Sequence, residues 1–76
     1  ALRRAVALDP RDERARIRLG RILARQGHYD QAEQQLRIGL KLLRPGERME
    51  QAAVRRSIRA LDLTRRRSLQ QGPQPP

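Results

Sequence analysis

Arg14, Arg18, Arg21 and Arg25 fall at steps of four, three and four. On a helix, that spacing brings four guanidinium groups to one face. A guanidinium is a planar fork of donors that keeps its charge at any ordinary pH. It therefore binds carboxylates or phosphates through paired hydrogen bonds. The chemistry on offer is recognition of an anion. A plainer reading competes with it, that of a solvated charged face. Arg14 with Arg18 and Arg21 with Arg25 are like-charge pairs one turn apart, each costing about 0.2–0.5 kcal/mol. A helix tolerates that cost with or without a ligand, so energetics leaves both readings open.

The remaining reactive side chains point away from catalysis. His28 is the only histidine, set beside Gly27 in a turn, with no second histidine to share a metal. Asp30 and Glu33 read as helix-capping groups spaced like a capping box, not as an acid–base pair. Ser57 has no base within its own helix, and no glycine-rich phosphate loop is present. Cysteine is absent, which removes disulfides and thiolate metal sites and leaves the redox compartment open. No catalytic residue, no metal site and no cofactor are expected. Cytoplasm and periplasm both remain open as locations, with the cytoplasm favoured.

Charge and size bound the partner and the fold. The 76 residues carry a net charge of +10, and Lys41 is the only lysine among 18 basic residues. Such a field attracts nucleic acid, acidic lipid or acidic protein. An arginine bias of this degree also follows from a GC-rich genome, so charge alone does not select a partner. Arg65-Arg66-Arg67 extends the positive charge, but Tyr29 is the only aromatic residue and offers no stacking platform for bases. That run reads as a solvated helix end, with Asp62 and Arg66 forming a favourable pair. No apolar stretch approaches the ~20 residues that cross a bilayer. Residues 68–76 end in a Gln/Pro-rich segment too polar to offset its ordering entropy, which predicts a disordered tail. Roughly 65–70 residues then remain to fold, a size at which a single core is marginal.

These side chains need helices to position them. Leu2, Ala5, Val6 and Leu8 form one apolar face, ended by Pro10. Asp12 is placed to cap a second helix, in which Ala15, Leu19, Ile22 and Leu23 face inward and Ile17 widens the stripe. Gly20 in mid-helix points to close contact with another helix. Gly27 suits a left-handed helix end. Tyr29, Ala32, Leu36, Gly39, Leu40 and Leu43 then define a third helix, antiparallel to the second because the turn is short. Arg44-Pro45-Gly46 closes it. A fourth helix is expected over residues 47–67, with Met49, Ala52, Ala53, Val54, Ile58, Leu61 and Leu63 facing inward.

A period runs through this pattern. Leu2, Arg3, Ala5, Val6 and Leu8 recur 34 residues on as Leu36, Arg37, Gly39, Leu40 and Leu42. Repeats of this length signal a solenoid of stacked helix pairs. Leu19-Gly20, Leu23, Gly27, Tyr29, Ala32, Leu36 and Gly39, in that order, resemble a tetratricopeptide repeat. Residues 1–10 are similar to the second helix and closing proline of a preceding repeat. The full repeat covers residues 11–45, and residues 46–67 resemble the capping helix that closes such an array. The sequence departs from the family pattern at Arg16, where tryptophan is common, and at Leu23, where tyrosine is usual. Pro45 also falls one residue late, and the fourth helix lacks the Leu-Gly pair.

The resemblance implies an all-α fold of about four antiparallel helices, a fragment of an α-solenoid at the C-terminal end of an array. It implies a non-enzymatic protein-interaction module, with the arginine face of the second helix lining a concave groove for an acidic peptide or partner segment. The family's asparagine-containing carboxylate clamp does not carry over, because the chain has no asparagine. Two alternatives stand beside this reading: a basic helical nucleic-acid-binding module, and a structural or oligomerisation fragment. At least three repeats usually make such a stack stable, so Leu2, Val6 and Leu8 are expected to drive self-association or leave the fold marginal.

Overall fold

Punctuation by proline, aspartate and glycine divides the chain into four helices. The computed structural model describes residues 2–71, and the side chains of residues 3, 4 and 6–67. Within them lie α1 (Leu2–Leu8), α2 (Glu13–Arg25), α3 (Tyr29–Leu42) and α4 (Arg48–Gln71). The fold is all-α and flat, measuring 46 × 27 × 13 Å.

In the α2–α3 hairpin, local chemistry sets both helix ends. Asp12 is extended, and its carboxylate accepts the N–H groups of Arg14 at 3.1 Å and Ala15 at 3.2 Å. Two of the donors orphaned at the start of α2 are thereby satisfied. At its other end, Gly27 takes φ +83°, a conformation that a side chain would strain. The N–H of His28 donates to the Leu23 carbonyl at 2.9 Å, and that of Gly27 to Ala24 at 3.1 Å. This is a Schellman closure, and it returns the chain along α2.

Two glycines let the backbones of α2 and α3 approach. A Cβ on Gly20 would lie 2.8 Å from Leu36 Cγ and 3.1 Å from the Ala32 carbonyl oxygen. One on Gly39 would lie 2.8 Å from Ile17 Cγ1. At each crossing a Cβ would press on the neighbouring helix. Around them, Val6 of α1 packs with Ala15, Leu19, Leu23 and Ala32, while Leu36 and Leu43 pack with Val54 and Ile58 of α4. Half-buried Leu61 touches both clusters and joins them. Val54 stands 34 residues after Gly20, so α4 meets α3 through a side chain where α2 meets it through a hydrogen.

Several expectations need correction. The inward stripe of α4 is narrower than periodicity suggested: Val54, Ile58 and Leu61 face α3, but Met49 is 86% and Leu63 53% exposed, and Ala52 is exposed as well. These three lie about 140–180° around the helix from Val54, since each residue turns it by about 100°. Ile22 is likewise 39% exposed, at the margin of the α2 stripe. Asp30 and Glu33 form no capping box. The N-cap position is His28, whose carbonyl takes the Ala32 N–H at 2.9 Å and whose side chain makes no cap bond. Asp30 then falls inside the first turn of α3. Val6 is buried in the chain's own core, which removes it from the expected self-association face; Leu8 is 80% exposed, and the side chain of Leu2 lies outside the described ones. The fourth helix starts at Arg48 and passes residue 67 to reach Gln71, because nothing between them breaks a helix. Of the predicted tail, residues 72–76 lie outside the described residues.

Candidate functional site

Folding α2 against α3 fixes where the arginines go. Ala15, Leu19 and Leu23 occupy the core side, so Arg14, Arg18, Arg21 and Arg25 are carried to the opposite side, and all four are exposed. Among the described residues the ion pairs are Arg37–Glu33, Arg65–Asp30, Arg65–Asp62 and Arg66–Asp62. None draws on the α2 stripe, whose charge faces solvent.

The stripe forms one wall of a groove, and α4 forms the other. Near the start of α2, Arg14, Arg18 and Arg21 face Glu50, Ala53 and Val54 across a cleft of about 280 Å³. Farther along, Arg21 and Arg25 face Ser57, Ala60 and Thr64 across a second cleft of about 290 Å³, with Leu36 of α3 at its floor. Arg21 lines both, so the two clefts adjoin and together make up the channel between α2 and α4. Ser57 and Thr64 donate their hydroxyl protons to the carbonyls of Ala53 at 3.1 Å and Ala60 at 2.9 Å. Their oxygen lone pairs stay open to a donor. The channel thus combines a cationic wall with an aliphatic floor, the surface chemistry of recognition.

Neighbouring contacts hold this channel in shape. Arg16, on the other side of α2, donates from Nε to the Pro10 carbonyl at 3.1 Å and from Nη1 to Gln35 Oε1 at 2.8 Å. It ties α2 to the preceding turn and to α3. At the far end of the channel, Arg65 of α4 reaches Asp30 of α3 at 2.7 Å and Asp62 at 2.9 Å. Those hydrogen bonds, Asp30 first, raise the Arg65 guanidinium pKa above its ordinary value. Leu19, Gly20, Leu23, Ala32, Leu36 and Gly39 are buried at or beside the helix crossings, Tyr29 is half-buried, and Gly27 makes the turn. His28 is an exposed turn residue.

Sequence reasoning missed several participants. Ile22 sits on the arginine ridge with Arg18, Arg21 and Arg25, and its step from each of these was a visible signal. Glu50 lies on the opposite wall, and only the placement of α4 reveals that. The Arg65–Asp30 tie spans 35 positions, and no local pattern announces it.

Antiparallel helix pairs that cross at glycines, followed by a longer helix, define a helical-repeat architecture. A family model described as tetratricopeptide repeat matches residues 1–55, and the chain belongs to that family. Its members are generally protein–protein interaction modules and are typically not enzymes. Comparisons with curated proteins and with solved structures return no match. No helix among the described residues is long and apolar enough to cross a membrane.

Proposed function

We propose that this chain is a non-enzymatic interaction module that holds an acidic polypeptide segment in the channel between α2 and α4. Arg14, Arg18, Arg21 and Arg25 supply the contacts, and no cofactor takes part. The observation that supports this reading is four exposed guanidinium groups, none engaged in an ion pair among the described residues, along a channel with an aliphatic floor. Carboxylates bind the forks, and half-buried Ala24 and Leu61, above Leu36, offer a seat to an aliphatic side chain between them. Arg14, Arg18 and Arg21 share their end of the channel with Glu50, which weakens the field there.

The test is charge reversal. Arg18→Glu with Arg21→Glu is expected to abolish binding of an acidic peptide at physiological salt while leaving the circular dichroism spectrum unchanged. Unchanged peptide binding would reduce the stripe to a solvated face. Isothermal titration against duplex DNA and RNA, run alongside, separates this reading from nucleic-acid binding. A polyanion held only by charge binds any backbone alike and loses affinity steeply as salt rises.

A further inference from the structure

The side of α4 turned away from both α3 and the channel carries most of that helix's charge. Seven arginines fall between Arg48 and Arg67. Six of them, Arg48, Arg55, Arg56, Arg59, Arg66 and Arg67, gather on an arc of about 120°, counting about 100° per residue. The seventh, Arg65, lies off the arc and is tied to Asp30 and Asp62. Glu50 and Asp62, the acids of α4, are off the arc as well. Arg66 reaches Asp62 at 3.3 Å, and the other five form no ion pair among the described residues. The remaining positions on the arc, up to residue 67, are apolar: Met49, Ala52 and Leu63. Every one of these side chains is exposed, Met49 at 86% and Leu63 at 53%. A merely solvated face gains by mixing acids among its bases, because opposite charges one turn apart stabilise a helix. An arginine-rich composition accounts for the number of arginines. It does not account for their sorting, or for two large apolar side chains set among them.

We infer that this face of α4 is a docking surface for a bilayer bearing anionic lipid, on which the helix lies flat. Charge complementarity selects the occupant: from Arg48 to Arg67 the face runs about 28 Å at about 1.5 Å per residue, with no acid on it. Guanidinium groups bind lipid phosphates through paired hydrogen bonds, and their aliphatic stems lie against the acyl boundary while the heads stay among the headgroups. Met49 and Leu63 stand about four turns apart, or about 21 Å, so each end of the face has an apolar side chain to enter that boundary. Basic attraction and apolar insertion are the two terms that hold a helix in the interface. Duplex nucleic acid fits less well. Its phosphates would engage the arginines but leave Met49 and Leu63 in water, and neither Ala52 nor Leu63 has a group to hydrogen-bond a base edge. The channel side of α4, with Glu50, Ser57 and Thr64, stays open, so this inference does not depend on the channel reading.

Co-sedimentation of the 76-residue chain with lipid vesicles tests this. At physiological salt the chain is expected to bind vesicles of phosphatidylcholine and phosphatidylserine in equal parts, and not vesicles of phosphatidylcholine alone. Arg55→Gln with Arg59→Gln should lower partitioning roughly 25-fold, since each basic residue at such a surface contributes about fivefold. Arg18→Gln with Arg21→Gln removes the same charge from α2 and should cost far less. Met49→Ser with Leu63→Ser keeps the charge and should weaken binding about tenfold. Equal losses from the two arginine pairs would mean that net charge alone drives binding. No loss from the serine pair would mean that nothing enters the bilayer, and either result overturns the proposal. A readout on the unaltered chain uses bicelles of the same lipids, spin-labelled in the acyl chains. Methyl signals of Met49 and Leu63 should broaden while that of Ile22 on α2 persists, and the reverse pattern would refute the face. Failure to bind the mixed vesicles refutes it outright, and duplex DNA binding that depends on Arg55 and Arg59 would then give the face to nucleic acid.

Discussion

At the residue scale, glycine decides how closely the helices meet. Alanine in place of a mid-helix glycine gains about 1 kcal/mol of helix propensity, whereas overpacking a core costs about 1–3 kcal/mol. Surroundings determine which wins. At Gly20 the new Cβ meets Leu36, which is 1% exposed, and a backbone carbonyl that cannot turn aside. Gly20→Ala is expected to destabilise by about 1–2 kcal/mol in urea unfolding. At Gly39 the conflict is with the side chain of half-buried Ile17 alone, the nearest backbone atom being the Glu13 carbonyl oxygen at 3.4 Å. Gly39→Ala should come out near neutral. Equal losses at both positions would show that backbone contact is not what separates them. Gly20 was legible in the sequence as a point of close approach, because a helix-interior glycine needs a packing reason, and Gly39 as part of the buried face of α3. Which of them could yield was not legible, since that depends on a neighbour far along the chain.

At the scale of elements, the helices follow from the sequence and their rotation only partly does. Asp12, Gly27 and Pro10 mark their boundaries by local chemistry, and the structure keeps all three in those roles. The inward face of α4 is another matter. Met49, Ala52 and Leu63 share the apolar composition of Val54 and Ile58, and only docking on α3 reveals which set is buried. The channel has the same limit: its α2 wall was readable as a spacing, but Glu50, Ser57 and Thr64 join it only once α4 is in place. The tie from α4 to α3 through Arg65 and Asp30 is also non-local. Asp30→Asn should lower the melting temperature slightly at low salt, and the difference should vanish as salt screens the pair. The raised pKa of Arg65 means that its contribution is fully present below the ordinary arginine pKa. It is lost only as pH climbs through the higher folded value. Thermal melts from pH 7 to about pH 10 should therefore show no loss from this pair.

At the scale of the whole molecule, the +10 charge acts against compactness. Moving from about 0.01 M to about 0.1 M salt shortens the screening length from about 30 Å to about 10 Å, well inside the 27 Å width of the molecule. Self-repulsion then falls, and the melting temperature of the wild-type chain should rise with added sodium chloride. That is opposite in sign to the effect of salt on the Asp30–Arg65 pair, so the two terms are separable by melting both proteins across the same series. A fall in the wild-type melting temperature would mean that attractive pairs outweigh the net field. On the proposed reading the same field steers an acidic partner towards the α2 arginines, and association should be faster at low salt.

The Schellman turn at Gly27 also bears on the order of events in time. Cap, turn and both glycine contacts fall between Asp12 and Leu43, so α2 and α3 can pair through short-range contacts before α1 or α4 docks. Topologies dominated by such contacts fold quickly. The hairpin, which carries the cap, the turn and both glycine crossings, is then expected to be the folding nucleus, with α4 docking on it afterwards. Stopped-flow kinetics would register this as slower refolding in Gly20→Ala and mainly faster unfolding in Ile58→Val. A helix that docks last in folding is also the first to leave, so one wall of the channel opens on a shorter timescale than the core beneath it.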